Sequence, residues 1–249
     1  MGGWLTMAHV SVAEIVAASG LDWVVVDMEH TAIDLGEVLR LMPAIEAAGS
    51  APLVRVPRND ASLIKAVMDQ GAAGVLVPDI RTPDEAARAV AAVKYPPLGT
   101  RGVGLARAHG YGPRFDDTFR RNNDESIVVV QLEHRDAVAA VGGILAVPGI
   151  DATFIGPYDL SASMGLAGQL EHPDVLAAGR AILDESLRRG IAPGIHLIHP
   201  ARIPEQLRRS VAEGFRFIAL GSDALVLGHG YRGLADLVRE LRGPSAPGR

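Results

Sequence analysis

Short β-branched runs alternate with helix-forming stretches along the chain, and this alternation constrains its folding more than any other feature. The runs are Trp23–Asp27 (WVVVD), Pro52–Val56, Gly74–Val77, Ile127–Leu132, Ala152–Ile155, Ala192–Ile195 and Phe215–Leu220, with a weaker first one at Gly3–Met7. Helix candidates fill the intervals at Val12–Ser19, Leu35–Ala48, Ala61–Gln70, Asp84–Val93, Arg135–Leu145, Pro173–Arg189, Pro204–Glu213 and Asp223–Leu241. The runs are apolar throughout instead of alternating with polar residues, the pattern of parallel strands covered on both faces. Gly20, Gly49, Gly71, Gly190 and Gly214 each follow a helix candidate, where a left-handed C-cap is wanted. Eight βα units in 249 residues predict an α/β fold of the (β/α)8 TIM-barrel type, with a doubly wound sheet as the alternative. No linker or composition break divides the chain, so residues 1–249 read as one domain. The 30-residue stretch Tyr95–Asp124 is out of scale with the other connections, a length typical of functional or subunit-contacting segments.

Composition narrows the chemistry. The absence of cysteine removes thiol nucleophiles, cysteine zinc sites and iron–sulfur clusters, so any metal must be held by Asp, Glu or His. A net charge of −5 argues against a nucleic-acid partner, which would need a basic footprint. No run is long and charge-free enough to span a membrane, and no basic, apolar leader opens the sequence, so a cytoplasmic location is expected.

In a TIM barrel the active site lies at the C-terminal ends of the strands. Those ends carry Asp27-Met28-Glu29-His30, Arg55, Pro78-Asp79, Gln131-Leu132-Glu133 and Gly156-Pro157-Tyr158-Asp159, whereas the opposite ends carry mostly Gly, Ala and Ser. Glu133 and Asp159, from adjacent strands, could share an oxygen-rich octahedral cation site of the kind that suits Mg²⁺ or Mn²⁺. Equally, Glu133 could pair with Arg135 while Asp159 caps a turn. His30 is the acid/base candidate, with Asp27 three residues before it to orient the imidazole; a structural histidine is the alternative. Arg55, inside an apolar strand, needs an anion, either a ligand carboxylate or an internal partner. Asp69 could be that partner, or a second group orienting His30. His196 and His199 form H-x-x-H, but strand residues three apart face opposite ways, which argues against a shared metal. Arg101-Gly102-Val103-Gly104 matches a phosphate cradle only loosely.

Taken together, Gly20–His30 (GLDWVVVDMEH), PLVRVP, Tyr95–Gly104 (YPPLGTRGVG), Val129–Glu133 (VVQLE) and Phe154–Gly165 (FIGPYDLSASMG) resemble the HpcH/HpaI aldolase family, class II pyruvate aldolases. The resemblance implies a TIM barrel of the phosphoenolpyruvate/pyruvate superfamily type. It also implies reversible aldol cleavage of 4-hydroxy-2-oxo acids into pyruvate or hydroxypyruvate and an aldehyde. By the same resemblance Glu133 and Asp159 are the ligands of a divalent metal, Mg²⁺ or Mn²⁺, with Co²⁺ as a further option. Arg55 contacts the keto oxygen, His30 with Asp27 forms the base dyad, and Asp69 falls near it. Gln131 belongs to the pyruvate site, backbone N–H groups around Gly156, Pro157, Tyr158 and Asp159 take the carboxylate, and Trp4 walls the pocket. Such enzymes are homo-hexamers, dimers of trimers with the last helix exchanged. Two positions depart from the pattern: Met28 replaces a glycine, and His196 stands where an apolar residue would line the aldehyde side. The chain's lysines, Lys65 and Lys94, lie outside the strand candidates, so a Schiff base is not expected.

Two competing readings have their own signatures. A related carbon–carbon lyase or synthase, such as a citrate-synthase-like enzyme or a malyl- or citramalyl-CoA lyase, would in the CoA case want a longer chain and a basic patch. A non-catalytic barrel serving assembly would lack at least one of His30, Arg55, Glu133 and Asp159, and all four are present.

Overall fold

Eight parallel strands hydrogen-bond in chain order and close into a barrel in the computed structural model, which describes residues 1–242. They are β1 (Gly2–Leu5), β2 (Trp23–Asp27), β3 (Ala51–Arg55), β4 (Gly74–Val77), β5 (Ile127–Leu132), β6 (Ala152–Ile155), β7 (Gly194–Leu197) and β8 (Phe217–Leu220). The helices are α1 (Val10–Ala17), α2 (Leu35–Ala47), α3 (Ala61–Asp69), α4 (Pro83–Val93), α5 (Phe115–Glu125), α6 (Arg135–Ile144), α7 (Pro157–Ser163), α8 (Pro173–Arg189), α9 (Ile203–Glu213) and α10 (Asp223–Arg242). Capping boxes start two of them, Asp34 with Glu37 at α2 and Thr82 with Glu85 at α4, satisfying the first free N–H groups.

The uniformly apolar strands follow from two separate cores. Val25, Leu53, Leu76, Val129, Phe154 and Phe217 point into the barrel with Trp4 and Trp23. Their neighbours Val24, Val26, Val54, Val75, Val77, Val128 and Val130 point outward under the helices. Both faces are dry, so period-two polarity has no reason to appear. The floor of the interior is a stacked pair, Trp23 on Phe217, with ring centroids 4.1 Å apart. Trp23 also lies against Gly2, where any Cβ would overlap its ring.

The sequence expectation of a barrel holds, with local corrections. Strand β7 begins two residues later than the Ala192–Ile195 run and so takes in His196. The long Tyr95–Asp124 connection is not irregular, for it carries a short 3-10 turn at Arg107–His109 and most of α5. It is anchored by the Lys94 amine, which donates to the carbonyls of Asn123 and Ser126 at 2.8 and 2.7 Å. Helix α7 was absent from the eight-helix expectation because Gly156-Pro157 reads as a turn; Pro157 instead occupies its first turn, where no N–H is needed. Residues 243–249, including most of the Gly/Pro-rich tail, lie outside the described residues.

The barrel is thinly laddered where it closes. β1 pairs with β8 only through Gly2 and Ala219. Asp223, the first residue of α10, reinforces this seam: its carboxylate accepts from the backbone N–H groups of Thr6 and Met7, both at 2.9 Å, and from the Thr6 hydroxyl at 2.5 Å. Beyond that clasp α10 is nearly bare, exposing Leu225, Val226, Leu227, Tyr231, Leu234, Leu237, Val238 and Leu241.

Candidate active site

At the C-terminal rim Asp27 and Arg55 face each other in register on β2 and β3. Arg55 donates from Nε to Asp27 Oδ1 at 2.9 Å and from Nη2 to Oδ2 at 2.6 Å. Asp27 also accepts from the Trp4 indole N–H at 3.2 Å and the Glu29 backbone N–H at 3.0 Å. Burial works to raise the Asp27 pKa, but Arg55, Trp4 and that N–H together hold it below the ordinary carboxylate range. The guanidinium carbon sits 4.9 Å over the Trp4 ring, a cation–π contact that fixes it further.

The structure thus answers what Arg55 meets, and the answer corrects the base dyad. The Asp27 carboxylate is taken by Arg55 and Trp4, and its contact with His30 is with the backbone N–H, at 3.4 Å. The carboxylate nearest the His30 imidazole is Glu29, whose Oε2 lies 3.8 Å from Nε2. Asp69 is also displaced from its expected place. It ends α3, and helices of this fold run antiparallel to the strands, so it lies toward the opposite face; there it pairs with Arg101 Nη2 at 2.7 Å. The same pair explains Arg101 as a structural anchor, with Asn122 accepting from Nη1 at 2.9 Å and Tyr95 stacked beneath it at 4.7 Å.

The sequence puts Glu29 on the rim but assigns it no role. Glu29 lies 2.9 Å from Arg55 Nη1, but outside hydrogen-bonding geometry, so its buried Oε2 has an ionic neighbour and no hydrogen bond. Burial pushes its pKa up to about 7, and Glu133, Asp27 and Asp159 reinforce the rise that Arg55 opposes. The strand ends at Asp27, and the bend that follows, with the Glu29 N–H turned back onto the Asp27 carboxylate, is what brings Glu29 to the rim.

Gln131 on β5 and Glu133 directly after it are two apart and so share a face, and Gln131 Nε2 donates to Glu133 Oε2. The Asp79 backbone N–H donates to Glu133 Oε1 at 3.0 Å, aimed there by a left-handed conformation (φ 52°) at the end of β4. The Asp79 side chain is itself held by Arg81, at 2.7 and 2.9 Å. Burial, with the negative charge of Asp159, raises the Glu133 pKa despite its hydrogen bonds. Gly156 leaves room for the Glu133 carboxylate, which any Cβ at this position would displace.

Two cavities meet at this point, both bordered by His30 and Asp159. One, about 280 Å³, is lined by Trp4, Arg55, Gln131, Gly156–Asp159 and His196. The other, about 350 Å³, is lined by Glu29, Asp79, Arg81, Glu133, His134 and Ser163. The structure therefore brings together His30, Asp27, Arg55, Glu133, Asp159, Gln131, Gly156, Pro157, Tyr158, Trp4 and His196, and leaves Asp69 out. Neither Lys65 nor Lys94 borders either cavity.

Comparison with known proteins bears directly on this rim. The family model described as HpcH/HpaI aldolase/citrate lyase matches residues 1–229. The chain belongs to the HpcH/HpaI aldolase family. Membership makes it a carbon–carbon lyase of the metal-dependent aldolase kind. A relative named 4-hydroxy-2-oxo-heptane-1,7-dioate aldolase, from Salmonella dublin, is 41% identical over 237 residues, covering 94% of this chain and 88% of its own. A solved HpcH/HpaI aldolase/citrate lyase family protein from Burkholderia cenocepacia superposes with a TM-score of 0.90 at 37% identity, covering 96% of this chain and 93% of its own. The citrate synthase SbnG follows at 0.82 and 29%, covering 95% and 90%.

The donor set fits the divalent metal that the family implies. Among the described residues no group of three protein ligands converges; Glu133 and Asp159 border the same cavity and are the pair of carboxylates that could hold such an ion. Two carboxylates with water and substrate oxygens completing the shell is the ordinary arrangement for a hard cation. Burial first, and then the neighbouring carboxylates, raise the pKa values of Glu133 and Glu29, so negative charge at this rim is poorly solvated and only partly offset by Arg55.

Proposed function

We propose that this rim catalyses reversible aldol addition and cleavage between the enolate of pyruvate or hydroxypyruvate and an aldehyde. The observation that carries the reading is the convergence of Glu133 and Asp159 on cavities that also hold the clamped Arg55 and the open imidazole of His30. Glu133 and Asp159 hold Mg²⁺ or Mn²⁺, or else Co²⁺. When bound, such an ion draws charge from a keto group and so acidifies the neighbouring carbon.

The chain's own residues do the rest. Arg55, pinned by Asp27, keeps its remaining N–H groups for the keto oxygen and stabilises the negative charge of the enolate. The backbone N–H groups of Gly156, Tyr158 and Asp159 receive the substrate carboxylate; Pro157 has none and shapes the turn. Gln131 holds Glu133 in place through its amide. His30, with two-thirds of its side chain exposed at the cavity mouth, moves the proton to and from substrate, with Glu29 as its neighbouring carboxylate. Trp4 and His196 wall the side where the aldehyde enters.

The test is exchange of the pyruvate methyl protons in D₂O with Mg²⁺ or Mn²⁺. Wild type is expected to exchange and Glu133→Ala to lose exchange; equal rates in the two would overturn the reading. Borohydride added with pyruvate should leave the enzyme active, since no lysine reaches the site.

We also propose a homo-hexamer, a dimer of trimers, in the cytoplasm. Its support is the apolar face of α10, which leaves Leu227, Leu234 and Leu241 in solvent in a single chain. Light scattering of Leu227→Glu/Leu234→Glu should show smaller assemblies than wild type. No helix among the described residues is long and apolar enough to cross a membrane.

A further inference from the structure

His196 enters the barrel from β7 and packs face to face with Trp4, ring centroids 4.7 Å apart, in the wall of the 280 Å³ cavity. Its Nε2 lies 3.0 Å from the carbonyl oxygen of Gly221. A carbonyl can only accept, so Nε2 carries the proton. Burial, aided by the charge of Arg55, pushes the pKa of the ring down against the pull of Gly221 and Asp27, which keeps the imidazole neutral. One nitrogen then remains a bare acceptor. Nδ1 has no hydrogen-bond partner among the described residues and, unlike Nδ1 of His109, is not sealed in the interior. Of the groups around it, the Trp4 N–H is spent on Asp27 and the Thr6 hydroxyl on Asp223, Phe154, Ile198 and Leu225 are apolar, and the Ser222 hydroxyl in the same wall makes no hydrogen bond to it.

We infer that His196 is a specificity residue whose Nδ1 accepts a hydrogen bond from a substrate hydroxyl, so that the site selects hydroxylated substrates over alkyl ones of equal size. The inference rests on the aldolase reading for the placement of substrate in this cavity. The hydroxyl has two possible sources, C3 of hydroxypyruvate or the carbon next to the aldehyde in an acceptor such as glycolaldehyde. In either case the hydroxyl is attached beside the bond being made, and an alkyl analogue leaves Nδ1 desolvated and unpaired.

Size-matched pairs separate the sources. In the donor arm, calorimetry of the full chain with Mg²⁺ compares the Kd of hydroxypyruvate with that of 2-oxobutanoate. In the acceptor arm, kcat/KM of glycolaldehyde is compared with that of propanal, pyruvate being the partner. Because each ratio is taken on one preparation, it is insensitive to lost folded protein. His196→Leu is expected to cut the preference in one arm by about tenfold, and the arm that responds identifies the hydroxyl. His196→Asn, whose side-chain oxygen reaches the place of Nδ1, should keep most of the preference; His196→Gln, whose amide lies nearer the place of Nε2, should lose it. Ratios unchanged to within about twofold in both arms would overturn the inference, as would equal losses on hydroxylated and alkyl substrates. If wild type fails to exchange pyruvate methyl protons, the aldolase reading falls; a donor-arm preference that His196→Leu still cuts would then keep the hydroxyl contact at His196, and one that it leaves unchanged would overturn it.

Discussion

Arg55 and Asp27 are cross-strand neighbours joined by two parallel hydrogen bonds, and both side chains are almost wholly out of water. The pair explains how an arginine is tolerated inside an apolar strand, and how its guanidinium keeps one orientation. Breaking a buried pair by removing one partner is far costlier than replacing both.

Asp27→Ala should therefore destabilise the protein by about 3–5 kcal/mol, because Glu29 meets Arg55 without a hydrogen bond and cannot take over the clamp. Asp27→Ala/Arg55→Met should recover much of that loss. Urea unfolding of both variants decides; a single variant as stable as the double one would show that the clamp contributes little.

Gly156→Ala should spare the fold and damage the site. The added methyl meets Glu133 and must turn its carboxylate away. Mn²⁺ affinity should weaken by about tenfold to a hundredfold, with thermal unfolding of the metal-free protein little changed. A Mn²⁺ titration followed by paramagnetic resonance reads the first, and calorimetric scanning the second.

Glu29 makes the metal-free protein sensitive to pH. Its carboxyl titrates near 7 when folded, against 4.5 as the ordinary value, so over that interval the folded state binds more protons than the unfolded one. Its contribution is fully present below about 4.5 and is lost as pH rises through 7, by up to about 3 kcal/mol. The stability difference between wild type and Glu29→Gln should thus widen in the variant's favour from pH 4.5 to above 7. Saturating Mg²⁺ should narrow it by neutralising the neighbouring carboxylates. A difference independent of pH would remove Glu29 from the electrostatics of the site.

Asp223→Ala should loosen the closure of the barrel at β1 and β8. It removes the acceptor of two backbone N–H groups and one hydroxyl, a loss of roughly 3 kcal/mol. Hydrogen exchange of the β1 amides should accelerate more than that of β3 or β4, which are laddered by at least three register pairs on each side. Uniform acceleration would indicate a global effect instead of a seam.

Parity and period made most of the molecule readable in one dimension. The βα alternation was enough for the barrel, because local propensity and a double-sided core both act within a few residues. Strand ends likewise pointed to Asp27, Arg55, Gln131, Glu133 and Asp159, since a parallel barrel presents all its C-terminal ends on one rim. Errors began where two distant segments had to be matched. Asp27 stands three residues from His30 in the chain, yet its carboxylate belongs to Arg55 across the sheet. Asp69 resembles a site residue until the direction of α3 takes it to Arg101.

From the chain alone came the fold class, the rim and the types of charged group on it. The tertiary structure decided which charge neutralises which, that Glu29 joins the cluster, and that His196, bonded to Gly221 through Nε2, stands in the cavity wall. The division is physical. Secondary structure is set by neighbours in sequence, but a buried charge or a tautomer is set by whichever group lies within about 3 Å, and folding chooses that group from anywhere in the chain.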